Sequence, residues 1–110
     1  MTDINYLAAA EQVLATVEAA CDRFNDQFDV DIDNQRTGGM VTLRFGNHSE
    51  IVINLQKPLQ EIWLAAKSGG FHYRLVDDQW RNTKNGNKFF DELSRCASEQ
   101  AGQKLEFIST

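Results

Sequence analysis

The 110-residue chain has little of several residue types that mark specialised classes of protein. It contains one proline, two cysteines and two histidines, which is too few for a proline-rich linker, a disulfide framework or a histidine-rich metal site. No run approaches the ~18 apolar residues of a membrane span. Asp3 and Glu11 interrupt the N-terminus where a secretory signal needs a basic start and an apolar run. The sequence therefore predicts a cytoplasmic protein that does not enter a membrane.

Positive charge is also scarce. The chain has 11 Lys+Arg against 16 Asp+Glu, which gives an isoelectric point near 4.9. Nucleic acid and anionic lipid both reward positive charge, so the composition argues against general affinity for either. Cations and basic proteins are the expected partners. The hydrophobic share of 42% and the charged share of 25% are ordinary for a globular protein, and residues 1–110 are predicted to form one domain.

Motifs for the common catalytic chemistries are missing from the sequence. There is no glycine-rich phosphate loop and no paired-cysteine zinc spacing. His48 and His72 have no nucleophile or metal-ligand partner close in sequence. We therefore expect a protein that is not an enzyme.

Hydrophobic periodicity predicts two helices. Near the N-terminus, apolar residues recur at steps of three, four and seven up to about residue 24, namely Ile4, Leu7, Leu14, Val17, Cys21 and Phe24. A second helix follows Asn87, which can cap it, and stops at Gly102. Cys21 and Cys96 both fall on apolar helical positions, so we expect reduced, buried thiols.

Between the helices the sequence alternates between apolar and polar residues, which is typical of strands. Strands are predicted over residues 28–33, 40–45, 51–55, 61–66, 71–76 and 80–83, and a short extended tail over 104–108. The predicted fold is α+β, a two-layer sandwich with both helices packed on one face of a single antiparallel sheet of five to six strands. The other face of the sheet is left to water.

Residues 28–33, FDVDID, carry three carboxylates at alternate positions. In a strand these would share one face, while Phe28, Val30 and Ile32 would share the other. The first helix adds further acids, so one edge of the molecule is expected to collect Glu11, Glu18, Asp22, Asp26, Asp29, Asp31 and Asp33. Oxygen ligands suit hard cations such as magnesium, calcium, manganese and iron, each held by one or two carboxylates and water. The same surface would equally attract a basic protein, and charge alone leaves both uses open.

Trp63 marks the face of the sheet that the helices leave uncovered. The alternate residues of its strand, Ile62, Leu64 and Ala66, suit the helical side. Trp63 then places a large apolar side chain in water, and tryptophan is enriched at binding hot spots. The same face would present Thr42, Arg44, Val52, Asn54 and His72. We interpret this face as a docking surface; the alternative is that the tail or a long neighbouring side chain covers Trp63.

Residues 53–73, INLQKPLQEIWLAAKSGGFHY, resemble the frataxin family in its bacterial form. The Asn-x-Gln-x-Pro segment, the Ile-Trp-Leu-Ala strand and the Gly-Gly-aromatic-His-aromatic turn occur in order, and the similarity spans nearly the whole chain. The resemblance implies two helices on an antiparallel sheet and weak binding of ferrous and ferric iron, with other divalent cations allowed. It also implies association with the cysteine desulfurase and scaffold protein of iron-sulfur cluster assembly, and a monomer that iron can drive into oligomers.

Carried over residue by residue, the resemblance places metal ligands at Glu18, Asp22, Asp29, Asp31 and Asp33, and the neighbouring Asp26 extends this set. It places partner contacts at Asn54 and Trp63, and the same face adds Glu61, His72 and Arg44. The leading hypothesis is an iron-dependent regulator or iron carrier that docks on the desulfurase and scaffold. The alternatives are a metal-independent acidic regulator of the desulfurase and a ferroxidase.

Overall fold

A computed structural model describes residues 3–108. The elements are α1 (Asp3–Gln27), β1 (Asp33–Thr37), β2 (Met40–Arg44), β3 (Glu50–Gln56), β4 (Glu61–Ala66), β5 (Gly69–Val76), β6 (Gln79–Asn82) and α2 (Phe89–Ala101). β3 ends at Gln56 and is followed by a 3-10 turn at Lys57–Leu59, which contains Pro58. Each strand pairs antiparallel with the next in the chain, which gives one six-stranded sheet in the order β1-β2-β3-β4-β5-β6. The predicted fold class is confirmed.

Alternation along the strands places their apolar residues on the helical side of the sheet. On β4, Ile62 and Leu64 are buried while Trp63 between them is partly exposed. The buried strand residues form one core with apolar residues of the helices, including Leu14, Val17, Cys21, Phe89, Leu93 and Cys96. Both cysteines are free and buried, as predicted, and the side chain of Ile4 lies outside the described residues. Over residues 3–108, neither helix is long and apolar enough to cross a membrane.

The prediction of a strand over residues 28–33 is wrong. Helix α1 continues to Gln27, residues 28–32 form an irregular link, and β1 begins only at Asp33. The Asn25 side-chain amide donates to the Ile32 carbonyl at 2.8 Å and accepts from the Ile32 N–H at 2.9 Å. These two bonds replace those that a neighbouring strand would make. Ile32 remains buried, but Phe28 is 40% exposed.

The prediction that Asn87 caps α2 is also wrong. Lys88 occupies the cap position without a side-chain hydrogen bond, and the Asn87 amide instead donates to Glu92 at 2.9 Å. Glu92 is buried and also accepts hydrogen bonds from Asn82, at 2.9 Å, and from the Tyr73 hydroxyl. Burial raises the pKa of Glu92, but these hydrogen bonds outweigh it and hold the pKa below its ordinary value.

The C-terminal tail is tied to α2 by two serine hydroxyls. Gly102 ends the helix with φ 73°, which confirms the predicted stop. Beyond it, the Leu105 N–H donates to Ser98 Oγ at 2.9 Å and the Phe107 N–H donates to Ser94 Oγ at 2.8 Å. Leu105 and Phe107 are buried. The tail therefore belongs to the core, although it forms no strand.

Candidate functional site

The predicted acids will be called the acidic surface; they are Glu11, Glu18, Asp22, Asp26, Asp29, Asp31 and Asp33. Its N-terminal part is paired with Arg36 of β1. Arg36 Nη1 donates to Glu18 Oε1 at 3.1 Å, and Nη2 donates to Glu11 Oε1. Burial lowers the pKa of Arg36, but the two carboxylates outweigh it and raise the pKa above its usual value. Two of the seven acids therefore pair with one arginine, whose single positive charge offsets one of their two negative charges.

Two further acids have weaker or shared partners. Asp22 accepts a hydrogen bond from the neutral Asn34 amide at 3.1 Å. Asp33 lies opposite Arg44 in the β1–β2 register. Arg44 donates to Glu50 at 2.7 and 3.0 Å, and Glu50 is the main cause of its raised pKa, with a smaller contribution from Asp33. Asp33 therefore shares this arginine with Glu50.

The remaining acids, Asp26, Asp29 and Asp31, form what we call the unpaired segment. Their side chains are exposed and have no ion pair or hydrogen-bond partner in the described part of the chain. Phe28, which lies among them, is 40% exposed. The unpaired segment combines three uncompensated charges with one accessible aromatic ring.

The acidic surface contains no closed metal cage. Among residues 3–108, no three histidine, cysteine, aspartate or glutamate side chains are arranged to hold one ion. A hard cation here would take one or two carboxylate oxygens and complete its coordination with water. The ligand chemistry fits iron and other hard cations, and the geometry favours weak, exchangeable binding.

Trp63 lies on the uncovered face as predicted, but its neighbours hold it in place. Its ring stacks on His72 with 4.1 Å between centroids and 6° between planes. The indole N–H donates to Glu61 Oε1 at 2.8 Å, and Arg74 Nε donates to Glu61 Oε2 at 2.9 Å. Glu61 is only 5% exposed. It therefore positions Trp63 and Arg74 from beneath, while Trp63, His72 and Arg74 form the outer surface.

The register across three strands explains which of the predicted partner residues lie together. Asn54 of β3 is opposite Trp63 of β4, which is opposite His72 of β5. Arg44 lies apart from this row, at the end of β2 beside Glu50. The uncovered face thus presents one aromatic and polar row, with Arg44 as a separate feature.

The largest described groove lies away from the acidic surface and the uncovered sheet face, and a smaller one borders the acidic surface. The largest groove, about 720 Å³, lies between α2, the tail and the β5–β6 turn, and its lining includes Trp80, Phe90 and Leu105. A smaller depression of about 230 Å³ borders Asp29 and Asp31. The candidate site is therefore an exposed surface and not a cleft that encloses a small substrate.

Sequence reasoning missed three residues that organise the acidic surface. Arg36 and Asn34 reach α1 from β1, and Asn25 fixes the link that follows the helix. The signal was alternation: Asn34 and Arg36 pair with the buried Leu43 and Val41, which places them on the helical side. The wrong position of the first strand concealed that pattern.

The fold and the site together define a small α+β domain that presents an acidic surface and an aromatic sheet face instead of an enclosed pocket. The comparisons with known proteins then give the family. A model of the frataxin-like domain matches residues 1–103, and the chain belongs to that family. The family prediction is confirmed.

Relatives and solved structures agree with this assignment. The chain is 64% identical over 107 residues to the iron-sulfur cluster assembly protein CyaY of a Polaromonas species, covering 97% of this chain and 92% of that protein. Frataxin from Psychromonas ingrahamii superposes with a TM-score of 0.86 at 29% identity, covering 98% and 99% of the two chains. Trimeric yeast frataxin from Saccharomyces cerevisiae, complexed with ferrous, matches with a TM-score of 0.74 at 26% identity, covering 86% of this chain and 87% of that chain.

Proposed function

We propose that the protein acts in the cytoplasm in iron-sulfur cluster assembly, as a non-enzymatic, iron-dependent regulator or iron carrier that docks on the cysteine desulfurase and scaffold. The observation that supports this most is the unpaired segment, where Asp26, Asp29 and Asp31 are exposed without a compensating cation in the described chain. The Polaromonas relative, named as an iron-sulfur cluster assembly protein, supports the pathway, and the ferrous complex of yeast frataxin supports the metal.

Iron binding at the unpaired segment would be weak because the protein supplies few of the ligands. One or two carboxylates leave most of the coordination shell to water, so the ion enters and leaves readily. A protein that senses or delivers iron needs this exchange. The ferroxidase alternative has less support, because turnover needs several ligands on one ion and no three histidine, cysteine, aspartate or glutamate side chains among residues 3–108 are arranged to hold one.

Docking would use the same carboxylates on a basic partner. The net charge of −5 steers a positively charged surface toward the protein, and the unpaired segment concentrates that charge. Trp63 and His72 supply a stacked aromatic contact on a second side of the molecule. Aromatic anchors of this kind contribute most where a partner excludes water from them.

The triple variant Asp26→Asn, Asp29→Asn, Asp31→Asn tests the proposal. Asparagine preserves shape and removes only charge. The matched control changes Asp77, Asp78 and Asp91 to Asn; it removes the same charge elsewhere, and Asn tolerates the left-handed backbone at positions 77 and 78. Binding of Fe²⁺ is measured without oxygen by calorimetry, and binding of the desulfurase is measured separately in metal-free buffer.

We expect the unpaired-segment variant to lose affinity for both ligands, while the control keeps them. Loss of desulfurase affinity alone would favour the metal-independent regulator. A variant that binds both ligands as the control does would contradict the proposal.

A further inference from the structure

The Arg36 side chain is held by hydrogen bonds at three points. Its Nε donates to the Gly38 carbonyl at 3.1 Å, Nη1 donates to Glu18 at 3.1 Å, and Nη2 donates to Glu11. All three guanidinium nitrogens are therefore engaged. Glu11 and Glu18 lie two helical turns apart on one side of α1, and the guanidinium spans the gap between them.

We propose that Arg36 is an intramolecular competitor that keeps Glu11 and Glu18 from external cations, so that a metal ion or a partner's cationic group reaches these carboxylates only by displacing it. This inference rests on the proposed function and adds a regulation to it. The acidic surface then has an open part, which is the unpaired segment, and a closed part, which consists of Glu11 and Glu18 in contact with Arg36. Glu18, predicted as a metal ligand, belongs to the closed part.

The competition follows from tethering. A group attached to the same chain acts on its neighbours at an effective concentration on the order of millimolar. A cation held by one or two exposed carboxylates binds too weakly to displace such a group at low concentration. The Arg36 side chain is 30% exposed, and those of Glu11 and Glu18 are 49% and 29% exposed, so solvent and partners can reach the contact. Displacement is therefore reversible and sensitive to salt.

Arginine is suited to this role and lysine is not. The planar guanidinium offers several fixed donors and engages two carboxylates at once, whereas an ammonium is a compact point charge. The contact with the Gly38 carbonyl fixes the base of the fork, and Gly38 adopts φ 58° in the turn that follows. Replacing Arg36 by lysine keeps the charge but loses some of these contacts. It should therefore make Glu11 and Glu18 partly accessible to external cations.

Mn²⁺ is the probe, because it is a hard, air-stable cation whose paramagnetism broadens nearby amide signals. Four variants are titrated beside the wild type: Arg36→Gln, Arg36→Lys, Glu18→Gln, and Arg36→Gln combined with Glu18→Gln. Arg95→Gln is the matched control, since it removes one positive charge and the Arg95–Glu99 ion pair on α2, whose nitrogen and oxygen lie 3.6 Å apart. Amide spectra of each variant verify that the fold is kept.

In the wild type we expect broadening centred on residues 26–31. Arg36→Gln should bind Mn²⁺ several-fold more tightly and extend the broadening to residues 11–18, and Arg36→Lys should show part of this gain. Glu18→Gln should change wild-type affinity by less than about twofold, yet reverse the gain in the Arg36→Gln background.

Two results would overturn the inference: an Arg36→Gln variant that behaves like Arg95→Gln, or a Glu18→Gln variant that loses as much affinity in the wild type as in the Arg36→Gln background. Failure of the proposed function looks different, since the wild type would then show no broadening at the acidic surface. The Arg36→Gln comparison still decides the inference in that case.

Discussion

Neutralising two acids of the same surface should change stability in opposite directions. Asp31→Asn removes a charge that has no partner in the described chain, whereas Glu18→Gln removes a charge that pairs with Arg36. Both substitutions preserve side-chain shape and remove one negative charge. A difference in sign therefore reports whether each carboxylate is paired, and not the general effect of lowering the net charge.

The magnitudes follow from Coulomb's law and from measured surface ion pairs. Two like charges about 7 Å apart in water repel by roughly 0.6 kcal/mol, and salt reduces this further. With Asp29 and Asp33 as its nearest acids along the chain, Asp31→Asn should raise the free energy of unfolding by a few tenths of a kcal/mol. Exposed ion pairs contribute about 0.2–1 kcal/mol, so Glu18→Gln should lower it by an amount in that range.

Urea denaturation at pH 7 measures both effects. The experiment is run at about 0.01 M and about 1 M salt, where the Debye length is about 30 Å and about 3 Å. Both changes should be largest at low salt and shrink at high salt. A destabilising Asp31→Asn would mean that its carboxylate is tied into the fold. A stabilising Glu18→Gln would refute the pairing with Arg36.

Three further predictions concern the rest of the molecule. Trp63→Ala should lower the free energy of unfolding by about 1–2 kcal/mol, because buried Glu61 loses a hydrogen-bond donor. The same variant should weaken desulfurase binding by about 1 kcal/mol or more. A variant that binds the desulfurase with wild-type affinity would contradict the docking role. Glu92→Gln should cost about 1.5–3 kcal/mol at pH 7. Since the pKa of Glu92 is lowered in the fold, its contribution to the free energy of unfolding is complete above the ordinary glutamate pKa of about 4.3 and is lost as pH falls through the folded value. In urea denaturation the difference in free energy of unfolding between wild type and variant should therefore disappear in acid. A difference that stays constant with pH would refute this. Burial raises the pKa of Cys21 to about 12, so its alkylation should require unfolding, and rapid labelling of the native protein would contradict its burial.

Much of the fold could be predicted because local signals agreed with the global arrangement. The alternation of Ile62, Trp63 and Leu64 separates the helical face from the open face, and the structure keeps that separation. Pro58 lies in the turn that directly follows β3, and Gly102 ends α2 with a positive φ. Such residues have few conformational choices, so their position in the sequence fixes the backbone.

The first strand could not be predicted from alternation alone. Residues 28–33 alternate like a strand, but Asn25 satisfies both backbone groups of Ile32 from the preceding helix. A side chain seven residues away in sequence therefore supplies the hydrogen bonds that a neighbouring strand would otherwise make. The polar sequence of β1, DNQRT, becomes a strand because it pairs with β2 through the Gly38-Gly39 turn, and not because of its own β-propensity.

The candidate site was predicted in composition but not in its pairing. Asp29 and Asp31 are exposed but lie in an irregular link and not on the predicted strand face, and which acids remain uncompensated depends on the reach of Arg36 and Asn34 across to α1. Likewise, Glu61 lies on the predicted face but beneath Trp63. Alternation can place a residue such as Arg36 on the helical side of the sheet, but it does not indicate which acids the side chain contacts.

The most direct measurement maps amide shifts and line widths of the ¹⁵N-labelled protein, first with Fe²⁺ in the absence of oxygen and then, in a fresh metal-free sample, with the desulfurase. Both titrations should perturb residues 26–31 first, and the desulfurase should also perturb Trp63 and His72. If neither ligand affects residues 26–31, and both instead perturb the groove between α2 and the tail, then uncompensated carboxylates are not the basis of binding.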